Sequence, residues 1–233
     1  MLNVLTSICE TKDGEEAGGL RILALAETSA DLSIEFLFTS CIGQPSQRMI
    51  VRCSGVREWV VRCGYIGSAE LRSDHPVLLP FVDPVSDLFF SNPAADPTSV
   101  VGELADRHHA LVGSWIPFRR FLNAKPEGVA ALLRCPCGKL ASGPVSLLLA
   151  YQEVLTACQV NSSLLPPSPL KYWDGDTLRE QTKPLYALIL GESFVIAEQF
   201  EEDESTANNA IQRISDPRHT SCGAGVAPKS EIR

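Results

Sequence analysis

The sequence contains no uninterrupted run of about 18 apolar residues, the length that a helix needs to cross a bilayer. Its longest clean apolar runs, at 147–151 and 185–190, have the length of a strand or of a short buried helix. The first residues carry no basic cluster, and Asp13, Glu15 and Glu16 follow closely, so we expect no cleaved signal peptide. These absences predict a cytoplasmic protein that does not insert into a membrane.

The short motifs with the strongest mechanistic meaning are absent as well. The chain has no G-x-x-x-x-G-K-[ST] phosphate loop, no G-x-G-x-x-G turn, no H-E-x-x-H and no G-x-S-x-G elbow. Sites marked by these motifs are therefore excluded, whereas a catalytic site assembled from distant residues is not. We expect no cofactor, and the sequence assigns no catalytic residue.

The chain has fewer basic than acidic residues: 20 Lys and Arg and 28 Asp and Glu, which give a net charge of −8. A nucleic-acid partner is disfavoured, since proteins that bind nucleic acids generally present an excess of basic residues. The 45% hydrophobic and 21% charged residues are ordinary for a folded soluble chain. With 233 residues, the chain can bury a core without the help of a metal or a disulfide.

The eight cysteines are scattered, and no two of them form a C-x-x-C pair. Cys135 and Cys137 form a single C-x-C, but the second ligand pair of a structural zinc site is missing. We therefore predict that all eight cysteines are reduced thiols and that the chain holds no metal. A zinc-stabilised module is kept as a third interpretation.

The first 90 residues have the patterns of β-strands. Apolar residues alternate at Leu32, Ile34 and Phe36, and this strand is predicted to form a hairpin with the run at 20–26. Segments 48–53 and 56–63 flank Ser54–Gly55, which predicts a second hairpin with a two-residue turn. In that register the inward residues are Met49, Val51, Val56 and Val60. The outward residues are Arg48, Arg52, Arg57 and Trp59.

The following residues have helical signals. Asp96 before Pro97 predicts the start of one helix, Pro126 opens a second, and 142–144 opens a third. Strands are then predicted at 185–190 and 193–200. The fold class is therefore α+β: an N-terminal antiparallel β-meander, three helices, and two C-terminal strands that return to the sheet. We predict one domain over residues 1–200 and a mobile acidic and polar tail over 201–233.

Two histidines allow a test of the helix prediction. His108 falls on the apolar stripe of its helix and is predicted to be a hydrogen-bonded core residue, whereas His109 is predicted to be exposed. Asp74–His75–Pro76 is typical of a turn. A nucleophilic Cys–His pair built from distant residues, for example Cys63 or Cys135 with His75 or His108, is the basis of the alternative function below.

Charge patterning provides the strongest functional signal. The stretch from Glu192 to Glu204 holds six acidic residues and no basic one, and the outward arginines of the predicted second hairpin are its counterpart. A plain solvated segment, and pairing of the arginines with Glu35 or Glu58, are the simpler interpretations, although Glu58 points to the other face in this register. The residues that we predict to bind a partner are Glu198, Glu201, Glu202, Asp203, Glu204, Arg48, Arg52, Arg57 and Trp59.

These observations predict a non-catalytic intracellular protein that binds a protein partner through charged surface. An adaptor, a regulatory subunit and an immunity-type inhibitor all fit this description, with a partner that presents a basic surface. The alternative is an enzyme with a dispersed hydrolytic Cys/His site. The sequence does not determine the oligomeric state.

Overall fold

The computed structural model describes residues 19–28, 31–39, 46–173 and 176–203. In chain order its strands are β1 (Leu20–Glu27), β2 (Asp31–Phe38), β3 (Gln47–Ser54), β4 (Glu58–Val60), β5 (Gly64–Ile66), β6 (Ala69–Arg72), β7 (Val85–Phe90), β8 (Gly138–Pro144), β9 (Ser162–Leu164), β10 (Lys171–Trp173), β11 (Leu178–Glu180), β12 (Tyr186–Leu190), β13 (Ser193–Ala197) and β14 (Gln199–Asp203). Its helices are α1 (Leu79–Val82), α2 (Pro97–Val112), α3 (Pro126–Leu132) and α4 (Val145–Ala157), with 3₁₀ turns at Pro76–Leu78 and Phe118–Arg120.

The chain divides into two compact units, where the sequence favoured one domain over residues 1–200. The first takes its described residues from Met1–Asp74, Trp173–Thr177 and Lys183–Arg233, and the second consists of His75–Tyr172 and Leu178–Thr182. The physical reason is that two separate hydrophobic cores form, one from the β1–β6 and β12–β14 segments and one from residues between β7 and β9. In chain order, the second unit is an insertion between β6 and β12.

The first unit is built from two antiparallel sheets. One has the strand order β14-β3-β2-β1-β5 and the other has the order β4-β13-β12-β6. The alternation in β2 buries Leu32, Ile34 and Phe36, and β1 pairs with β2, so the predicted first hairpin is confirmed. The mixture of helices and antiparallel strands confirms the α+β class. The N-terminal strands do not form one consecutive meander, since β4 and β6 belong to the second sheet.

The predicted second hairpin is wrong. Strand β3 pairs with β2 and β14, while β4 pairs with β13 in the other sheet. The chain passes from one sheet to the other at Gly55, which has a φ of +66°, a conformation that glycine adopts without strain. Met49 and Val51 are buried as predicted. Val60 is 38% exposed, because the side of β4 that we predicted to face inward faces outward in the structure.

The second unit packs helices against the sheet β8-β7-β9. Helix α2 begins where the sequence predicts, since Oδ1 of Asp96 accepts hydrogen bonds from the backbone N–H groups of Thr98 and Ser99, both at 3.1 Å. Helix α3 starts at Pro126 and α4 directly after Pro144, so the three predicted helices are confirmed. The short helix α1 was not predicted.

The acidic C-terminal segment begins as a strand. Residues 201–203, which we assigned to a mobile tail, lie in β14, and residues 204–233 fall outside the described residues. Strand β14 pairs with β3 throughout its length, because Phe200 contributes to the core of the first unit. Across the described ranges, no helix is both long enough and apolar enough to span a membrane.

Cys63 is disulfide-bonded, so the prediction that all eight cysteines are reduced is wrong for this residue. Cys53, Cys135, Cys137 and Cys158 are free thiols. Disulfides are typical of oxidising compartments, and this observation therefore weighs against the predicted cytoplasmic location.

Alkylation of the unfolded protein should distinguish Cys63 from the free cysteines. In denaturant without reductant, we expect the Cys63 peptide to remain unmodified, and to become alkylated only after reduction. The Cys158 peptide is the matched control and should be modified in both samples, since its thiol is free. Peptide mass spectrometry measures both, and modification of Cys63 before reduction would contradict the disulfide.

Candidate functional site

The acidic segment and the predicted arginine set lie side by side on one sheet. Because β14 runs antiparallel to β3, the backbone of Glu201 is opposite Arg52 and that of Asp203 is opposite Ile50. Nη2 of Arg52 donates to Oδ2 of Asp203 at 2.6 Å, and these side chains are 60% and 47% exposed. The two sets that the sequence presented as separate counterparts are therefore partly matched to each other within the molecule.

The same face continues onto β2. Nη1 of Arg48 donates to Oε1 of Glu35 at 2.8 Å, the intramolecular pairing that the sequence offered as the simpler interpretation. We call Glu35, Arg48, Arg52, Glu201 and Asp203 the charged sheet face. Three carboxylates against two guanidinium groups leave it one excess negative charge. Glu201 accepts a hydrogen bond from Nε2 of Gln199 at 3.1 Å.

Glu198 is placed differently, because it lies between β13 and β14 and is held from two sides. Nη2 of Arg57 donates to its Oε1, and Nζ of Lys183 donates to its Oε2 at 2.7 Å. The side chains of Arg57 and Glu198 are only 8% and 14% exposed, whereas Lys183 is 69% exposed. We call these three residues the Glu198 ion cluster. Its buried members are engaged inside the first unit.

Electrostatics and packing both fit this structural role. Burial alone would raise the pKa of Glu198, but the hydrogen bonds from Lys183 and Arg57 outweigh it, and the pKa lies below its ordinary value. Nη1 of Arg57 also donates to the carbonyl of Gly55 at 2.9 Å. A Cβ at residue 55 would lie 2.8 Å from Cδ of Glu198, so the cluster requires glycine there.

Trp59 does not belong to the charged sheet face. Trp59 is 7% exposed and belongs to the core of the first unit. Its Nε1 donates to Oε1 of Glu27 at 3.5 Å. The predicted position of Trp59 beside the arginines is corrected for the same reason as the hairpin, since β4 lies in the other sheet. Glu202 is half-buried opposite Val51, and Glu204 lies outside the described residues.

The buried histidine of the second unit has both ring nitrogens engaged. His108 is 2% exposed; its Nδ1 lies 2.8 Å from the hydroxyl of Tyr151, and its Nε2 lies 2.6 Å from the carbonyl of Ile116. Because a carbonyl only accepts, Nε2–H donates to Ile116 and Nδ1 accepts from Tyr151. Burial lowers the pKa of His108, so the ring is neutral. The prediction of a core histidine is confirmed, and His109 is exposed as expected.

His75, Cys53 and Cys63 are also engaged in structural roles or are unreactive, whereas Cys135 is an exposed free thiol. Nδ1 of His75 accepts from the backbone N–H of Val77 at the start of a 3₁₀ turn, which confirms the predicted turn. Burial, with the charge of Asp31, raises the pKa of the Cys53 thiol to about 12, so this residue is not a thiolate at neutral pH. The disulfide at Cys63 removes that residue as a nucleophile. The Cys/His hydrolytic alternative therefore gains no support from these groups.

Sequence reasoning missed Lys183 of the Glu198 ion cluster. This lysine precedes the acidic stretch and belongs to no charged run, so only the fold brings its ammonium group to Glu198.

Within the part of the chain that the structure describes, no group of three or more His, Cys, Asp or Glu residues is arranged to hold a metal ion. Comparisons with protein-family models, with curated proteins and with solved structures give no match to this chain.

Proposed function

We propose that this protein is a non-catalytic binding protein that docks a basic protein surface against the β14 edge of the charged sheet face. The observation that supports the proposal is the position of Glu201 and Asp203. Both lie on β14, for which β3 is the single sheet neighbour among the described residues. A strand at the edge of a sheet is accessible to another molecule along one side, and acidic side chains there favour a basic partner.

The energetics of the face allow such an exchange of partners. An ion pair as exposed as Arg52–Asp203 contributes little to stability, typically less than about 1 kcal/mol. A lysine or arginine of a partner can therefore compete for Asp203 at little cost to the fold. The excess negative charge of the face would accelerate encounter with a basic surface, and salt would weaken that attraction.

An adaptor, a regulatory subunit or an immunity-type inhibitor would all use a surface of this kind. The docking proposal does not depend on the compartment; the disulfide at Cys63 weighs against the predicted cytoplasmic location, and the alkylation of Cys63 tests that prediction. A reduced Cys63 supports the cytoplasm, whereas a stable disulfide favours an oxidising compartment.

Charge reversal on β14 tests the proposal. We expect the double variant Glu201→Lys and Asp203→Lys to retain about one tenth, or less, of the basic partner that the wild-type chain retains from native host extract at low salt. This loss should shrink as salt rises, because screening acts over about 10 Å at 0.1 M ionic strength. The measurement is quantitative mass spectrometry of proteins held by the immobilised full chain.

The matched control reverses two exposed acidic residues of the same unit elsewhere, Glu70 and Glu192, whose side chains are 58% and 92% exposed. This control changes the net charge by the same amount and should retain the partner as the wild-type protein does. Equal loss in both double variants would show that only net charge matters. Retention that is unchanged by Glu201→Lys and Asp203→Lys would rule out β14 as the docking edge.

A further inference from the structure

The loop between α3 and β8 is short and fixed at both ends. Leu133 is fully buried; its N–H donates to the carbonyl of Val129, and its own carbonyl accepts from the N–H of Ala94, both at 2.9 Å. At the other end, a Cβ on Gly138 would lie 3.1 Å from Cε1 of Phe90, so the backbone is closely packed there. Only residues 134–137 lie between these anchors, and all four are exposed.

Two of these four residues are cysteines with free thiols, Cys135 and Cys137. Two residues further along a chain, Cα atoms are at most about 7 Å apart, a spacing that two ligands of one ion can span. The Sγ of Cys135 donates to the carbonyl of Ala131 at 3.9 Å, and this weak contact has to be given up when the sulfur binds an ion. The intervening Pro136 has its φ fixed by the ring, and the N–H of Cys135 donates to the carbonyl of Leu132 at 2.9 Å. Both features reduce the freedom that the loop would lose on binding.

We propose that Cys135 and Cys137 form a two-thiolate site for a soft monovalent metal ion, copper(I). Thiolates select soft ions, and copper(I) is satisfied by two sulfur ligands, whereas a structural zinc site needs four protein ligands. The loop provides two cysteines, and the described ranges contain no larger metal-binding group around them. Among the described residues the loop therefore offers the two ligands that suit copper(I), and not the four of a structural zinc site.

The binding step conserves charge and changes no oxidation state. Two neutral thiols and one copper(I) ion give a bis-thiolate complex of charge −1 and release two protons to solvent. Arg134, directly before Cys135, is exposed and supplies positive charge beside the complex. Lys139 follows the loop, where its Nζ pairs with Oδ1 of Asp87 at 2.7 Å.

The other two free cysteines that the structure describes lack this arrangement. Cys53 is buried, and the Sγ of Cys158 donates to Oε2 of Glu103 at 3.3 Å. Burial first, and then the contact with Glu103, raise the pKa of Cys158. Cys158 therefore provides a matched control, because it is a free cysteine with no second cysteine two residues away.

Anaerobic competition tests the site, with the full chain, its Cys63 disulfide left intact, taking copper(I) from the chromophoric chelator bicinchoninate. We expect one equivalent to transfer to the wild-type protein and to Cys158→Ser. Affinity should fall at least about a hundredfold in Cys135→Ser and in Cys137→Ser, since changes outside the ligand set alone typically cost 10–100-fold.

Circular dichroism of each variant excludes unfolding as the cause, and exposed positions should tolerate serine. Failure of the wild-type chain to compete with bicinchoninate would overturn the proposal. Equal affinity in all three serine variants would also overturn it, since the copper would then lie elsewhere. Zinc(II) bound as tightly as copper(I) at this loop would contradict the ligand-number argument.

Discussion

Replacing Glu198 with Gln is expected to destabilise the first unit by about 3 kcal/mol, because it removes the negative charge of the carboxylate that accepts from the largely buried guanidinium of Arg57. Arg57 is 8% exposed, so water cannot take the place of the lost carboxylate. Amide hydrogen exchange in β3 and β13, which belong to the first unit, measures the loss.

The matched control is Asp203→Asn on β14. It removes the partner of Arg52 in an exposed pair, and we expect a loss below about 1 kcal/mol. The contrast between the two substitutions separates burial from charge, since both remove one carboxylate paired with an arginine. Similar losses at the two positions would show that the Glu198 ion cluster is solvated.

The same cluster predicts a pH dependence. The pKa of Glu198 is lowered in the folded state, so the unfolded chain binds its proton at a higher pH than the folded one does. This stabilisation is fully present above the ordinary value of 4.5 and is lost as the pH falls through the folded pKa. The Glu198→Gln variant should lack this component, and its stability below pH 4.5 should decline less steeply than that of the wild-type protein.

Replacing His108 with Asp is expected to destabilise the second unit by about 4 kcal/mol or more, because the substitution buries a carboxylate with no positive partner. The phenol of Tyr151 can still donate to such a carboxylate, but the carbonyl of Ile116 loses its donor. Amide hydrogen exchange in α2 and α4 reports the stability of this unit separately from the first.

The adjacent His109→Asp variant is the control, since it introduces the same charge at an exposed position of the same helix. We expect a change within about 0.5 kcal/mol for such a surface substitution. Equal protection of α2 and α4 in both variants would mean that the assigned helix face is wrong. In the wild-type protein the pKa of His108 is lowered, so the stability that it contributes is present above its ordinary value of 6.5 and declines as the pH falls below it.

Elements with local signals were predicted from the sequence. The Asp96 cap and the prolines at 126 and 144 act on their own turn of chain, so the starts of three helices follow from nearby residues. The apolar alternation of β2 and the burial of His108 follow in the same way, because each depends on the repeat of a single element.

The second hairpin could not be predicted in this way. Ser54–Gly55 fits a two-residue turn, but it equally fits a change of sheet at a glycine with positive φ. The structure has the change of sheet, and beside it Arg57 contacts Glu198, 141 residues further along the chain. No local pattern contains that information. The wrong hairpin prediction therefore placed Trp59 on the surface, whereas the structure has it in the core.

The candidate site shows the same division. The sequence by itself determined which residues carry the charge, since the acidic stretch and the arginines of β3 are evident from composition and spacing. Only the tertiary structure decided that Arg52 pairs with Asp203 and Arg48 with Glu35, and that Glu198 is enclosed. The physical reason is that strand register sets which charges are neighbours, and the register of β14 on β3 depends on packing between distant parts of the chain.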